Sequence, residues 1–558
     1  MKDIPDGTDR AHSGESADGV GDVPLAERTM VHALRRQVAR RPHDVAIRDT
    51  QCAFTYEEAA ERVRKLAYGI AALGVQAGDT IATMMDNHAD HLLVALAIAT
   101  VGATEVTVNT AYKGTLLEYI LADSQAKVAI VESRYVDRVD DSLEAAGAVL
   151  KHVVIRGGSE RTPTVRCAAV DLDSMEGQPV TLPDPQPSAT AVIMYTSGTT
   201  GPAKGVKLPH AQVYTCASLH PQSGPGDVLA VTVPLFHIAG RCVMAYNSIV
   251  HGAQAVVLAR FDAPTFWDDI RAHGCTMTLF VPGMPEMLLK QPARPEDREH
   301  SLRLVHLFSL FPGAESFMRR FGLPWAFTGY GGTEAGSVCV TDAMSATDVR
   351  DAPPGLCGRP FPAYFEVELV DELDAAVPPG EVGEMVIRPK LPWTLMDGYL
   401  GKPEATAAAW RNLWWHTGDT FRQGAGGEFY FVGRGSDSIR RRGETISVFE
   451  LERQILAAPQ IDEVAVVAVA GDVAEDEIKA VVTLRHGEQL DYEAFIIELA
   501  GFLPYFMVPR YIEVVKELPK NFTGKVKRAD LRKEGVTATT WDARAAGLRI
   551  SRHGIART

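Results

Sequence analysis

Apolar and polar positions follow two rhythms along this chain. Short apolar runs at 45–48, 80–85, 128–131 and 153–155 read as buried strands. Between them the apolar positions recur at helical spacing, as at Val31, Leu34 and Val38, and again over 59–73, which stops at Gly74. Thr55, followed by Glu57 and Glu58, is an N-terminal cap signal for that second helix. The segment 91–101 is apolar all round but too short to span a bilayer, so it is expected as a buried helix. Strands alternating with helices at this spacing predict parallel sheets covered by helices.

A proline-rich stretch at 182–187 reads as a linker. Beyond it, strands are expected at 228–233, 276–281 and 325–328, each running into a turn: Pro234-Leu235-Phe236-His237, Pro282-Gly283 and Tyr330-Gly331-Gly332-Thr333-Glu334. The crevice beyond the carboxyl ends of such strands is where ligands collect. Runs at 367–370 and 383–387 look like strands of a smaller β subdomain, and after Arg434 the texture changes to a compact unit with helices at 447–456 and 492–503 and strands at 464–469 and 478–484. The expected fold is α/β: a large N-terminal domain of helix-covered, mainly parallel sheets with a β subdomain over 29–433, a hinge at 434–436, and a small mobile α+β C-terminal domain over 437–545. Residues 1–28 and 546–558 are expected as tails.

At 558 residues the chain exceeds what one core organises, and its 46% hydrophobic, 23% charged composition is that of an ordinary globular protein. A net charge of −15 argues against nucleic acid or an anionic membrane as the main partner, so any polyanion must be met by local positive charge. The cysteines, at 52, 167, 216, 242, 275, 339 and 357, are odd in number and never in a CxxC pair, which points to a reducing compartment with neither a disulfide framework nor a zinc site. The first 28 residues lack the basic start and apolar centre of a signal peptide. A cytoplasmic protein is expected.

The chemistry centres on Tyr195-Thr196-Ser197-Gly198-Thr199-Thr200-Gly201-Pro202-Ala203-Lys204-Gly205, which follows the apolar run 191–194. Glycines let the backbone approach a ligand and aim N–H groups at one concavity, while Thr196, Ser197, Thr199, Thr200 and Lys204 add donors and positive charge, a combination suited to phosphate. It is not a Walker loop, because Ala203 stands where that motif has glycine before the lysine and no Ser or Thr follows Lys204. Glu334 is a carboxylate of the kind that joins Mg²⁺ on a triphosphate, and Asp419, in His416-Thr417-Gly418-Asp419, is a natural acceptor for two ribose hydroxyls.

These motifs, in this order, resemble the adenylate-forming superfamily of acyl- and aryl-CoA synthetases, peptide-synthetase adenylation domains and firefly-type luciferases. The resemblance runs from about residue 30 to 545. It implies that residues 196–200 and Lys204 hold ATP phosphates, that Thr333 touches the α-phosphate, that Glu334 is the metal ligand and that Tyr330 stacks near adenine. It further assigns the ribose to Asp419 with Arg434, and the hinge to Ser436. Pro519-Lys520-Asn521-Phe522-Thr523-Gly524-Lys525 resembles the family's C-terminal lysine motif and makes Lys525 the catalytic cation. His237, Ala239, Gly240, Leu310, Gly329, Gly332 and Val338 are the expected acyl-pocket contributors, a mixture of small and apolar groups that favours a modest or aromatic acid over a long fatty acid.

Three positions depart from the common pattern: Gly332, where a larger residue is usual and whose absence suggests a wider pocket; Ser436, where relatives carry Asp or Lys; and Asn521, where Thr is commoner. The segments 392–399, 405–410 and 440–446 look most like the carnitine/crotonobetaine-CoA ligase branch, and the basic run Arg440–Arg442 is a candidate for meeting CoA phosphates. The implied activity is acyl-AMP formation from a carboxylic acid and Mg-ATP, then transfer to CoA. Transfer to a carrier protein or an amine, activation of nitrite for an amino-aryl acid, and a non-catalytic nucleotide-binding protein are the alternatives.

Overall fold

The computed structural model describes residues 23–146, 149–157, 167–196, 203–219, 223–434, 438–471, 475–520 and 526–557. Contacts divide the chain into one unit of residues 1–110, 120–194 and 205–433 and a second of residues 111–119, 195–204 and 434–558. In the first unit the expected alternation is present. One seven-stranded sheet runs in the order Ala168–Asp171, His152–Arg156, Val128–Glu132, Thr80–Met84, Thr104–Thr107, Thr190–Thr196, Lys204–Pro209, and is parallel through Thr190–Thr196.

A second sheet runs Ala326–Phe327, Leu304–Leu307, Met277–Phe280, Val228–Val231, Gln254–Val257, Val45–Arg48, Ala53–Thr55, parallel except for its last pair. The helices between them form where the sequence signals them. Tyr56–Ala72 begins with Thr55 and Glu58 in a reciprocal capping box, and Ala89–Val101, apolar on every face, is buried apart from Asp90. Among the described residues no helix is long and apolar enough to cross a membrane.

The third sheet is antiparallel in its registered pairs, with the order Gly329–Gly332, Gly336–Val340, Leu356–Pro360, Phe429–Arg434, Trp415–Gln423, Val382–Pro389, Phe365–Val370. It contains the strands expected of a β subdomain and more. Residues 330–332, expected as part of a turn, belong to the strand Gly329–Gly332, and only Thr333–Ala335 turn. Two of its three glycines are needed for pairing: a Cβ on Gly329 would lie 2.5 Å from the Cys339 carbonyl oxygen, and one on Gly331 2.3 Å from that of Gly336.

The second unit packs helices Val448–Leu456, Tyr492–Phe502 and Arg528–Glu534 on a sheet ordered Ile461–Ala470, Asp476–Leu484, Tyr511–Val514, Trp541–Asp542. Its interior holds a buried ion pair between Lys479 and Glu513. Burial opposes ionisation of Glu513, but Lys479 and the hydroxyls of Thr537 and Thr539 outweigh it and hold the carboxyl down at about 2. Two tail expectations are corrected. Residues 548–557 form a hairpin, Leu548–Ser551 with Gly554–Arg557, because Leu548, Ile550 and Ile555 join the core of this unit. Residues 25–27 form a single 3₁₀ turn in which the Arg28 guanidinium donates to the Val23 carbonyl.

Candidate active site

Three of the nucleotide-binding candidates, Tyr330, Asp419 and Arg434, lie on the antiparallel sheet. Tyr330 lies on its edge strand and Asp419 on the fifth strand in order, four steps away, about 19 Å in a flat sheet. Yet the Tyr330 hydroxyl donates to Asp419 Oδ2 at 2.8 Å, so the sheet curls back on itself. Phe421, two residues beyond Asp419 on the same face, meets the Tyr330 ring edge-on at 4.7 Å, and Phe431 meets Phe421 at 5.5 Å. Asp419 is 1% exposed and sits inside the strand Trp415–Gln423, not at a helix cap. The turn before it is pinned: Gly418, at φ 72, donates its N–H to Glu384, which also bonds His416.

Thr333 and Glu334 occupy the turn that joins the edge strand to Gly336–Val340. The Glu334 carboxylate receives the Tyr399 hydroxyl at 3.4 Å, and the Glu334 carbonyl accepts the Met396 N–H at 2.9 Å. Burial first, and the Glu334 charge second, push the Tyr399 phenol far above its ordinary range, so it stays protonated and donates. Tyr399 in turn pairs with Val206 in an isolated bridge, and Lys207 forms an ion pair with Asp397 at 2.8 Å. The segment 397–400 is thereby tied to the strand that leaves the phosphate motif.

The acyl-pocket candidates separate into different environments. Val338 is fully buried in the core. Gly240 lies in a π-helical stretch, Ala239–Tyr246, where a Cβ would meet the Pro234 carbonyl oxygen at 2.4 Å, so its missing side chain makes room for backbone. Gly332 is different: among the described residues a Cβ there would meet only Glu334 Oε2, at 3.8 Å. His237 is half-buried, its ring 4.7 Å from that of Phe236 and its N–H bonded to the Pro234 carbonyl. Leu310 and Ala239 are half-buried against the core.

Beneath that loop lies a charged network that the sequence pattern did not single out. Arg241, 1% exposed, is paired with Glu105, donates through Nε to the Leu235 carbonyl at 2.9 Å and contacts His91 Nε2 at 2.9 Å. Thr83 adds a hydroxyl to Glu105 at 2.6 Å. Burial and the Arg241 charge hold His91 well below its ordinary pKa, so the ring is neutral; Nε2 accepts from Arg241 and Nδ1–H donates to the Asp86 carbonyl at 3.1 Å. Asn87 takes the Leu235 N–H and donates to the Val233 carbonyl. The Pro-Leu-Phe-His loop is thus clamped from below.

Thr196 ends one strand and Lys204 begins the next, both half-buried, and Arg434 ends the strand Phe429–Arg434. Ser197, Gly198, Thr199, Thr200, Ser436 and Lys525 lie outside the described residues.

Comparison with known proteins agrees with this architecture. The AMP-binding enzyme family model matches residues 34–400, and that of the AMP-binding enzyme C-terminal domain matches 450–525. Among curated relatives, a crotonobetaine/carnitine–CoA ligase from Citrobacter koseri is 31% identical over 497 residues, 86% of this chain and 93% of that relative. Among solved structures, an amide bond synthetase from Marinactinospora thermotolerans superposes with a TM-score of 0.78 at 24% identity, covering 90% of this chain and 99% of that one. A double mutant of o-succinylbenzoate CoA synthetase from Bacillus subtilis, bound with its product analogue, gives 0.77 at 24% identity, with 90% and 98% covered. Two family models in series and a relative matched along nearly its whole length place the chain in the AMP-binding enzyme family, as an AMP-forming ligase.

Proposed function

We propose that the chain is an ATP-dependent acid–CoA ligase that converts a small carboxylic acid to its acyl-AMP with release of pyrophosphate and then passes the acyl group to CoA. The observation that carries the reading is the hydrogen bond between Tyr330 and Asp419, which brings the adenine and ribose candidates together on the sheet that also bears the Thr333–Glu334 turn. A carboxylate is a poor electrophile, so the protein must orient the acid against the α-phosphate and stabilise the charge that grows there. Residues 196–200 and Lys204 hold the phosphates, Thr333 donates to the α-phosphate, and Asp419 with Arg434 takes the ribose.

Glu334 is half-buried on a turn with its carboxylate held by Tyr399, a single protein carboxylate of the kind that suits Mg²⁺ carried on a triphosphate. When bound, the ion neutralises phosphate charge. Lys525 supplies the cation for the adenylation step, and rotation of the domain 437–545 about Ser436 then withdraws it and admits the thiol. Likeness to crotonobetaine/carnitine–CoA ligases supports CoA as acceptor. Likeness to an amide bond synthetase supports the second reading, transfer to an amine.

AMP release with Mg-ATP, measured across short-chain, aryl and betaine acids with CoA, an amine, or nitrite plus an amino-aryl acid, separates these readings. Turnover that requires both an acid and CoA is the expected result. AMP formation that ignores CoA and follows the amine, or needs nitrite, would overturn it. Lys525→Ala should abolish ATP–pyrophosphate exchange while leaving nucleotide binding intact.

A further inference from the structure

The turn that carries Thr333 and Glu334 is held from outside the antiparallel sheet by a residue with no assigned role. Gln212 lies in the helix His210–Leu219, which is buried on all sides, and its own side chain is 1% exposed. Its Nε2 donates to the Thr333 carbonyl at 3.1 Å and to the Glu334 carbonyl at 2.9 Å. Both partners are acceptors only, so the NH₂ must face them, and this fixes the orientation of the amide. Oε1 then points away, buried and without a hydrogen-bond partner among the described residues.

A residue kept only to fill this space would be apolar, since burying an unsatisfied amide oxygen is unfavourable. Gln212 therefore owes its place to the two bonds that its Nε2 makes. Cys216, one helical turn further on the same face, packs at the other end of the turn. A Cβ on Gly336, at φ 68, would lie 3.1 Å from Cys216 Cβ, and Cys216 Sγ is 3.9 Å from Ser337 Oγ. One rigid helix thus braces the turn at both ends, while Tyr399 holds the Glu334 carboxylate.

We propose that Gln212 is a positioning residue: its amide fixes the backbone of Thr333 and Glu334 and thereby sets the affinity of the site for metal-bound nucleotide. The inference rests on the ligase reading, in which Glu334 meets the metal and Thr333 the α-phosphate. Supporting residues of this kind alter metal affinity or activity about 10- to 100-fold when removed.

The test uses the full-length protein and its Gln212→Leu and Gln212→Met variants, which keep the volume and lose the donors. ATP binding is titrated by calorimetry at several Mg²⁺ concentrations without acid or CoA, and ATP–pyrophosphate exchange and thermal melting are followed in parallel. The expected result is a half-saturating Mg²⁺ concentration raised about tenfold. The KM for the acid should be unchanged, and kcat for exchange should fall about 10- to 100-fold. Wild-type Mg²⁺ dependence and kcat in both variants, with only the melting temperature lowered, would reduce Gln212 to a packing residue and overturn the proposal. A wild-type protein that binds ATP without regard to Mg²⁺, and is indifferent to Glu334→Gln, would overturn the underlying reading as well, and that pattern is distinct from the first.

Discussion

Gly240 and Gly332 both lie in motifs that the sequence assigns to the wall of one acyl pocket, yet the structure gives their missing side chains opposite meanings. Around Gly240 the space is full. The carbonyls of Val233 and Pro234 come within 2.7 Å of where a Cβ would stand, and the loop they belong to is clamped by Arg241 and Asn87. Around Gly332, among the described residues, only the Glu334 carboxylate is near, and at ordinary contact distance. A glycine in a pocket motif can therefore serve either the packing that builds the wall or the space that the ligand enters. Only the atoms around it tell which.

The comparison breaks most visibly at Arg241. Removing one partner of a fully buried ion pair leaves the other uncompensated, so Arg241→Met should destabilise the protein by about 3–5 kcal/mol in chemical denaturation, with Glu105→Leu in the same background recovering part of the loss. A double variant as unstable as the sum of the singles would mean that the pair is not a unit. Gly240→Ala comes next. Forcing a methyl against backbone carbonyls should cost about 1–3 kcal/mol and lower activity only through loss of folded protein. Gly332→Ala is the smallest in stability, within about 0.5 kcal/mol, but it should raise the KM for bulkier acids relative to smaller ones while leaving the KM for ATP unchanged. Equal effects of the two glycine substitutions on stability would erase the distinction.

How much of this was legible beforehand depends on the range of the signal. Thr55 with Glu58 announces a helix start because the cap is made by residues three apart, and the all-apolar segment around 91–101 announces burial by composition alone. The phosphate, magnesium, ribose and hinge motifs stand out because glycine, hydroxyl and charge are locally concentrated. What was missed lacks that property. Gln212 is one amide in a buried helix, and its partners lie 121 and 122 residues away. Arg241 and Glu105 are 136 apart, and neither looks unusual until the other is known. The hairpin Leu548–Ser551 with Gly554–Arg557 was read as tail although Leu548, Ile550 and Ile555 alternate with polar residues, because a run so short at a terminus gives no evidence of a core to join. Residues 330–334 were read as a turn, whereas 329–332 pair as a strand whose partner comes too close to Gly329 and Gly331 for a side chain at either.

The curl of the antiparallel sheet has a kinetic side. Tyr330 and Asp419 are 89 residues apart, and their contact exists only after the strands between them have paired and bent. Closing such a separation carries an entropic cost that local helices do not face, and non-local pairing is slow for the same reason. In the proposed reading of Tyr330 and Asp419, capacity to hold a nucleotide should therefore be among the last properties that a newly made chain acquires, arriving after most of its helical content. A cell that holds ATP in excess would then favour completely closed molecules over nearly closed ones, so the co-substrate doubles as a selector of finished protein.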